Sequence, residues 1–92
     1  MLLQGTKRSL DGFTFYLETR ETGQPRLGIL ISRRHAARAT DRNRIKRCIR
    51  EAFRLEQERI GPIDLLVRPP HGLRPTPRVI VRLRGLFGKL AR

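Results

Sequence analysis

A chain of 92 residues suits one domain with a small core, because at this length only ~60–65% of the unfolded surface can be buried. Hydrophobic residues make up 38% and there are eight glycines, a composition that excludes wholesale disorder. Twenty-one Lys and Arg against eight Asp and Glu give a net charge of +13, and self-repulsion of that size points to a polyanionic partner.

A basic entry containing Gly5 leads into "FTFYLE" (13–18), where Phe13, Phe15 and Leu17 alternate with Thr14, Tyr16 and Glu18 as in a half-buried strand. "ETGQP" turns the chain. "RLGILIS" (26–32), richer in branched apolar residues, predicts a more buried strand paired with the first in a hairpin. "RRHAARATD" then leads into a helix, with Thr40 or Asp41 placed to cap its first N–H groups and Gly61-Pro62 to stop it near Ile60. "IDLLVR" (63–68) reads as a short, almost wholly apolar strand closed by "PPHG". Thr76 followed by Pro77 has the form of an N-cap with proline at the first helical position, and Val79, Leu83, Leu86, Phe87 and Leu90 keep a helical stripe. The stripe favours a last helix, although Gly85 and Gly88 each cost it about 1 kcal/mol and "RVIVRL" alone also fits a strand. The sum is one domain over residues 1–92, an α/β (α+β) two-layer sandwich with a mixed sheet of three to four strands and helices packed on it.

The basic helix carries the functional signal. Residues 39–54, "ATDRNRIKRCIREAFR", hold six Lys and Arg against Asp41 and Glu51. Ile45, Cys48, Ile49, Ala52 and Phe53 follow the spacing of a core-facing stripe, so the helix is docked. Opposite that stripe lie Asn43, Lys46, Arg47, Arg50 and Arg54, with Arg42 and Arg44 flanking it near the start. Like charges at i, i+4, such as Lys46 with Arg50, each cost an isolated helix ~0.2–0.5 kcal/mol, so a partner must favour them. Arginine outnumbers lysine 18 to 3, and its planar fork grips two phosphate oxygens or stacks on a base. Neutralising phosphates releases counterions and drives association. A single-stranded RNA also needs flat groups to stack on, and Tyr16, alternating away from Phe13 and Phe15, is the candidate.

Catalytic chemistry is not legible. No Gly-rich phosphate loop, paired carboxylates or nucleophile with its base stands out, and neither His35 nor His71 has a neighbouring Ser, Cys or acid at relay spacing. Both read as loop residues. Asp41, Glu51 and Glu58 read as relief of repulsion or as a cap, and Cys48 as a small buried hydrophobe. One cysteine forms no internal disulfide and two distant histidines give no zinc spacing, so no protein-bound metal is expected and a reducing cytoplasm fits. Met1-Leu2-Leu3 runs at once into Gln-Gly, and no stretch approaches the ~20 apolar residues of a membrane span. Neither a membrane nor a small-molecule substrate is expected. Composition alone equally fits a ribosomal or other structural RNA-binding protein, or a DNA binder using residues 41–58; residues 76–92 also have the character of a membrane-surface helix.

"RLGILISRRHAARATDRNRIKRCIREAFR" closely resembles the central block of the bacterial ribonuclease P protein subunit, in which a strand leads through Ser-Lys-Lys into Arg-Asn-Arg-Ile-Lys-Arg and Arg-Glu-Ala-Phe. The resemblance continues weakly through "IDLLVRPP" and back through "GTKRSLDGFTFYL". It implies the family's left-handed βαβ crossover and also the family's role, which is to bind a catalytic RNA and assist removal of the 5′ leader of precursor tRNA. Magnesium is held there through the RNA partner, and the protein supplies no catalytic side chain. On this pattern Tyr16, Arg42, Asn43, Lys46 and Arg50 face the leader, and Arg33, Arg34, Arg38, Arg44, Arg47 and Arg54 face the catalytic RNA. Arg33, Arg34 and Arg38 stand where the family commonly has lysine. Most of the basic first helix usual in the family has no counterpart before "MLLQG", and Leu2 stands where the family brings an aromatic residue. Weaker leader binding and an exposed sheet area prone to self-association are the expected consequences.

Overall fold

The computed structural model describes residues 5–90. Leu2 and the rest of "MLLQ" therefore lie outside the described residues, as do Ala91 and Arg92. Six elements follow one another: β1 (Thr6–Leu10), β2 (Phe13–Thr19), β3 (Arg26–Ile29), α1 (Ala39–Ile60), β4 (Ile63–Arg68) and α2 (Pro77–Leu90). The sheet has the order β1-β2-β4-β3, with β1 and β4 antiparallel to β2 and β3 parallel to β4. This is the expected two-layer, mixed-sheet architecture, with three corrections.

The basic entry is itself a strand. Asp11 and Gly12, both at positive φ (51° and 84°), form the two-residue loop of a β1–β2 hairpin that pairs Leu10 with Phe13. Asp-Gly is the loop chemistry that fits the twist of such a hairpin. The second correction concerns partners: β3 does not pair with β2. β4 lies between them, because Ile63, Leu65 and Val67 are buried and a strand this apolar gains most from two neighbours. β3 takes the edge, ends at Ile29 and is less buried than β2, the reverse of the expectation for residues 26–32. Third, neither Thr40 nor Asp41 caps α1. The helix starts at Ala39 with Arg38 at the N-cap and no side-chain cap bond, and Asp41 instead puts its carboxylate in the first turn, where the helix dipole favours it. The other end is as expected, with Gly61 at φ 80° taking the C-cap.

The core lies between the sheet and both helices. Ile45, Ile49, Ala52 and Phe53 of α1 and Val79, Leu83, Leu86 and Phe87 of α2 meet Phe13 and Phe15 of β2. Phe87 is fully buried and stands edge-on to both Phe15 (centroids 5.9 Å apart) and Phe53 (6.1 Å), joining α2 to the sheet and to α1. Polar fasteners sit at the margin. Glu56, 3% exposed, accepts from Arg59 of its own helix (2.7 Å) and from Arg84 of α2 (2.9 Å). Asp64 accepts two bonds from Arg26 (2.7 and 2.9 Å) and lies 3.2 Å from Arg20, closing the turn between β2 and β3.

Candidate nucleic-acid interface

With the apolar stripe of α1 docked, its cations are forced outward. Residues 42–50 are helical throughout; Asn43, Arg44, Arg47 and Arg50 are exposed, and Lys46 is partly so. Among the described residues, ion pairs engage Arg20, Arg26, Arg54, Arg59, Arg82 and Arg84. Arg44, Lys46, Arg47 and Arg50 are not in that set. The ridge is therefore fixed by its backbone and left electrostatically uncompensated, so no ion pair of its own has to break before it meets a phosphate.

Two members of the expected site are committed locally. One guanidinium nitrogen of Arg42 donates to the carbonyls of Ala36 and Ala37, both at 3.0 Å, fastening the preceding loop to the helix. Arg54 donates to Glu51 at 2.6 Å, which pulls the Glu51 carboxyl below its usual range and gives this acid the charge-relieving role expected of it. Arg33, Arg34 and Arg38 are exposed in the loop before α1.

The flanks of α1 are distinguishable. Cys48 Sγ lies 3.8 Å from the Thr76 carbonyl and Arg59 stands against Gly88, so the side carrying Arg44 and Arg47 is the one next to α2. Arg42, Asn43, Lys46 and Arg50 lie on the flank away from α2. Arg44 and Arg47 are thus held apart from Arg42, Asn43, Lys46 and Arg50.

Tyr16 belongs to neither flank. Phe13 and Phe15 are on the sheet face covered by the helices, so Tyr16 lies on the opposite face, half-buried in a row running Lys7, Tyr16, Leu66, Gly28 across all four strands. Lys7 Nζ is 5.8 Å from the Tyr16 ring centroid, adding a cation beside a flat group. Gly28 keeps the row tight, since a Cβ there would come within 2.9 Å of Leu66 Cδ1. Sequence reading missed Lys7; its alternation with Arg8 in a strand would have revealed it, had the Asp11-Gly12 turn been weighed.

Cys48 and the two histidines depart from expectation. Cys48 is partly buried, and desolvation pushes its thiol up, away from nucleophilic use. The histidines, far apart in sequence, meet edge to face at 4.6 Å, and Ser32 is beside His35: its N–H donates to His35 Nδ1 at 2.9 Å. Burial, then His71 and Arg68, lower the His35 pKa. No group of three or more His, Cys, Asp or Glu converges among the described residues, and Asp41, Glu51 and Glu58 are strung along α1. No helix among the described residues is long and apolar enough to cross a membrane.

A docked helix with an uncompensated arginine ridge, on a small α/β sandwich with an aromatic on the other sheet face, has the electrostatic footprint of a domain that binds a polyanion. Residues 1–90 match the family model described as Ribonuclease P. The ribonuclease P protein component of Idiomarina loihiensis is 43% identical over 74 residues, covering 78% of this chain and 59% of the relative. That of Nitrosococcus oceani is 42% identical over 73 residues, covering 79% and 61%. A solved RNase P protein from Thermotoga maritima superposes with a TM-score of 0.77 at 26% identity, covering 94% of this chain and 86% of that one. The chain belongs to the ribonuclease P protein family. It spans about three fifths of the length of these two curated relatives.

Proposed function

We propose that this chain acts as the protein subunit of ribonuclease P, a noncatalytic partner of a catalytic RNA in removing the 5′ leader of precursor tRNA in the cytoplasm. Family membership favours this reading over a ribosomal or other structural RNA binder, and one observation of the structure carries it: α1 presents two flanks of cations on a rigid backbone. Arg44 and Arg47, with Arg33, Arg34 and Arg38 of the preceding loop, meet the catalytic RNA, and Arg54 joins them by exchanging Glu51 for phosphate. Arg42, Asn43, Lys46 and Arg50 meet the leader, and Tyr16 offers it a stacking surface. Magnesium is held by the RNA. The contribution of the protein is to place substrate and catalytic RNA together and to screen their mutual repulsion.

The purified chain is expected to restore precursor tRNA cleavage by the catalytic RNA at magnesium concentrations too low for the RNA alone. A folded protein that gives no rescue overturns the proposal.

A further inference from the structure

The chain direction concentrates charge at one end of the molecule. β3 and β4 are parallel and run out at the same end; α1 and α2 both begin there, and the β1–β2 hairpin turns there. Six of the eight acidic residues are elsewhere: Glu18, Glu21 and Asp64 at the opposite end of the sheet, and Glu51, Glu56 and Glu58 in the second half of α1. At the cationic end the loop after β4 is fastened to the loop before α1. The Gly72 N–H donates to the His35 carbonyl at 3.1 Å, the two histidine rings meet, and Cys48 touches Thr76.

This fastening shapes a groove of about 580 Å³ at the start of α2. Leu73, Pro77 and Val79 give it an apolar lining, Arg74, Arg78 and Arg82 a cationic one, and Thr76 completes it. Arg82 is held in place by Asp11 (2.7 Å) and stands 5.6 Å from the Phe13 ring centroid. Arg74 and Arg78 are exposed and take part in none of the ion pairs among the described residues. Apolar side chains and guanidinium groups lining one groove match the two halves of a nucleotide: the base covers the apolar residues and the backbone meets the arginines. A small inorganic anion would leave the apolar residues wet.

We propose that this groove is a further contact with the catalytic RNA. It takes an unpaired nucleotide of the catalytic RNA, its base on Leu73 and Pro77 and its phosphates on Arg74 and Arg78. The inference rests on the proposed function and adds α2 to a surface otherwise confined to α1 and the loop before it.

The test is salt-dependent binding of the catalytic RNA, with nuclease footprinting, for the full chain, the double variant Arg74→Ala/Arg78→Ala, and Lys89→Ala at the far end of α2. The double variant is expected to lower the log–log salt slope by about 1.4–1.8 and to expose a short unpaired stretch that the unaltered protein protects. Lys89→Ala is expected to keep both. A double variant with the unaltered slope and footprint overturns the inference, and a lowered slope with an unaltered footprint overturns the seated base. If the unaltered chain itself fails to bind the catalytic RNA, the proposed function falls and this inference with it.

Discussion

Arg44→Ala and Arg47→Ala test whether the α2-side flank of α1 is a phosphate contact, and the structure fixes how large the effect should be. Both side chains are exposed and absent from the described ion pairs, so each is free to neutralise one phosphate. Each substitution should lower the log–log salt slope for the catalytic RNA by ~0.7–0.9. Over a fourfold change from about 50 to 200 mM salt, that difference is worth roughly threefold in affinity, so each variant's deficit should shrink about threefold as salt rises. Arg54 supplies the internal comparison. Glu51 holds it at 2.6 Å, so Arg54→Ala removes a cation already partly neutralised and should move the slope less than either neighbour. Arg47→Lys keeps the charge and should keep the slope while losing affinity, because the planar fork is gone. Filter binding at four or five salt concentrations reads all of this. Slopes unchanged in Arg44→Ala and Arg47→Ala, or largest in Arg54→Ala, would refute the assignment of phosphate contact to the exposed, unpaired flank.

Tyr16→Ala should cost ~1–3 kcal/mol for substrates carrying a leader and nothing for mature tRNA, as measured by competition binding; equal losses contradict stacking on the leader. Phe87→Ala, which deletes the ring joining α1, α2 and β2, should cost ~3–5 kcal/mol in urea unfolding, out of a total of ~5–14 kcal/mol for a chain this long. A loss below ~1.5 kcal/mol would mean the three elements are held otherwise. Stability should fall in two stages as the solution is acidified. His35 is held below its ordinary pKa, so the unfolded chain takes up its proton first and stability begins to drop below pH ~6.5. Glu56 and Asp64 are held below the usual carboxylate range by Arg84 and Arg26, so their contribution is present above the unfolded carboxylate value and is lost as pH falls through the lower folded values. Thermal melts from pH 8 to 2.5 check both stages, and His35→Asn should remove the first alone. Finally, Arg50→Ala ends two like-charge i, i+4 contacts, with Lys46 and Arg54, each costing ~0.2–0.5 kcal/mol, and installs the best helix former. It should melt no lower than the unaltered chain while losing leader affinity; a lower melting temperature would show that Arg50 supports the fold.

Periodicity located the elements because burial imposes it. The α1 stripe, Gly61-Pro62 and the Thr76-Pro77 start are local signals, and residues 63–68 and 77–90 fold where those signals put them. Strand order was less accessible, since it is decided by competition among strands for the middle of the sheet. The almost wholly apolar "IDLLVR" outcompetes "RLGI", and adjacency in the chain gives no warning of it. β1 was legible but hidden: "TKRSL" is too polar for a buried strand, yet Asp11-Gly12 is a hairpin loop in its own right. For the site, the helical wheel divides the cations of α1 between two flanks but cannot say which flank faces α2. Nor could spacing bring together His35 and His71, which are joined only because two loops meet where parallel strands end.

The fold resolves the difficulty that a small core poses for a charge of +13 by separating the acids from the cations of the proposed RNA surface. Glu56 and Asp64 are used where they fasten elements, one between the helices and the other across the β2–β3 turn, and four arginines at the far end of the molecule answer to them. The opposite end is left with Asp11, bound to Arg82, and Asp41 in the first turn of α1, among arginines from both loops and both helix starts. Moving an acid into that region would add an ion pair and relieve repulsion, yet it would also give each arginine a competitor for phosphate. On the proposed function, stability and RNA affinity therefore draw on different residues at different ends, and the unpaired cations remain destabilising until that partner binds.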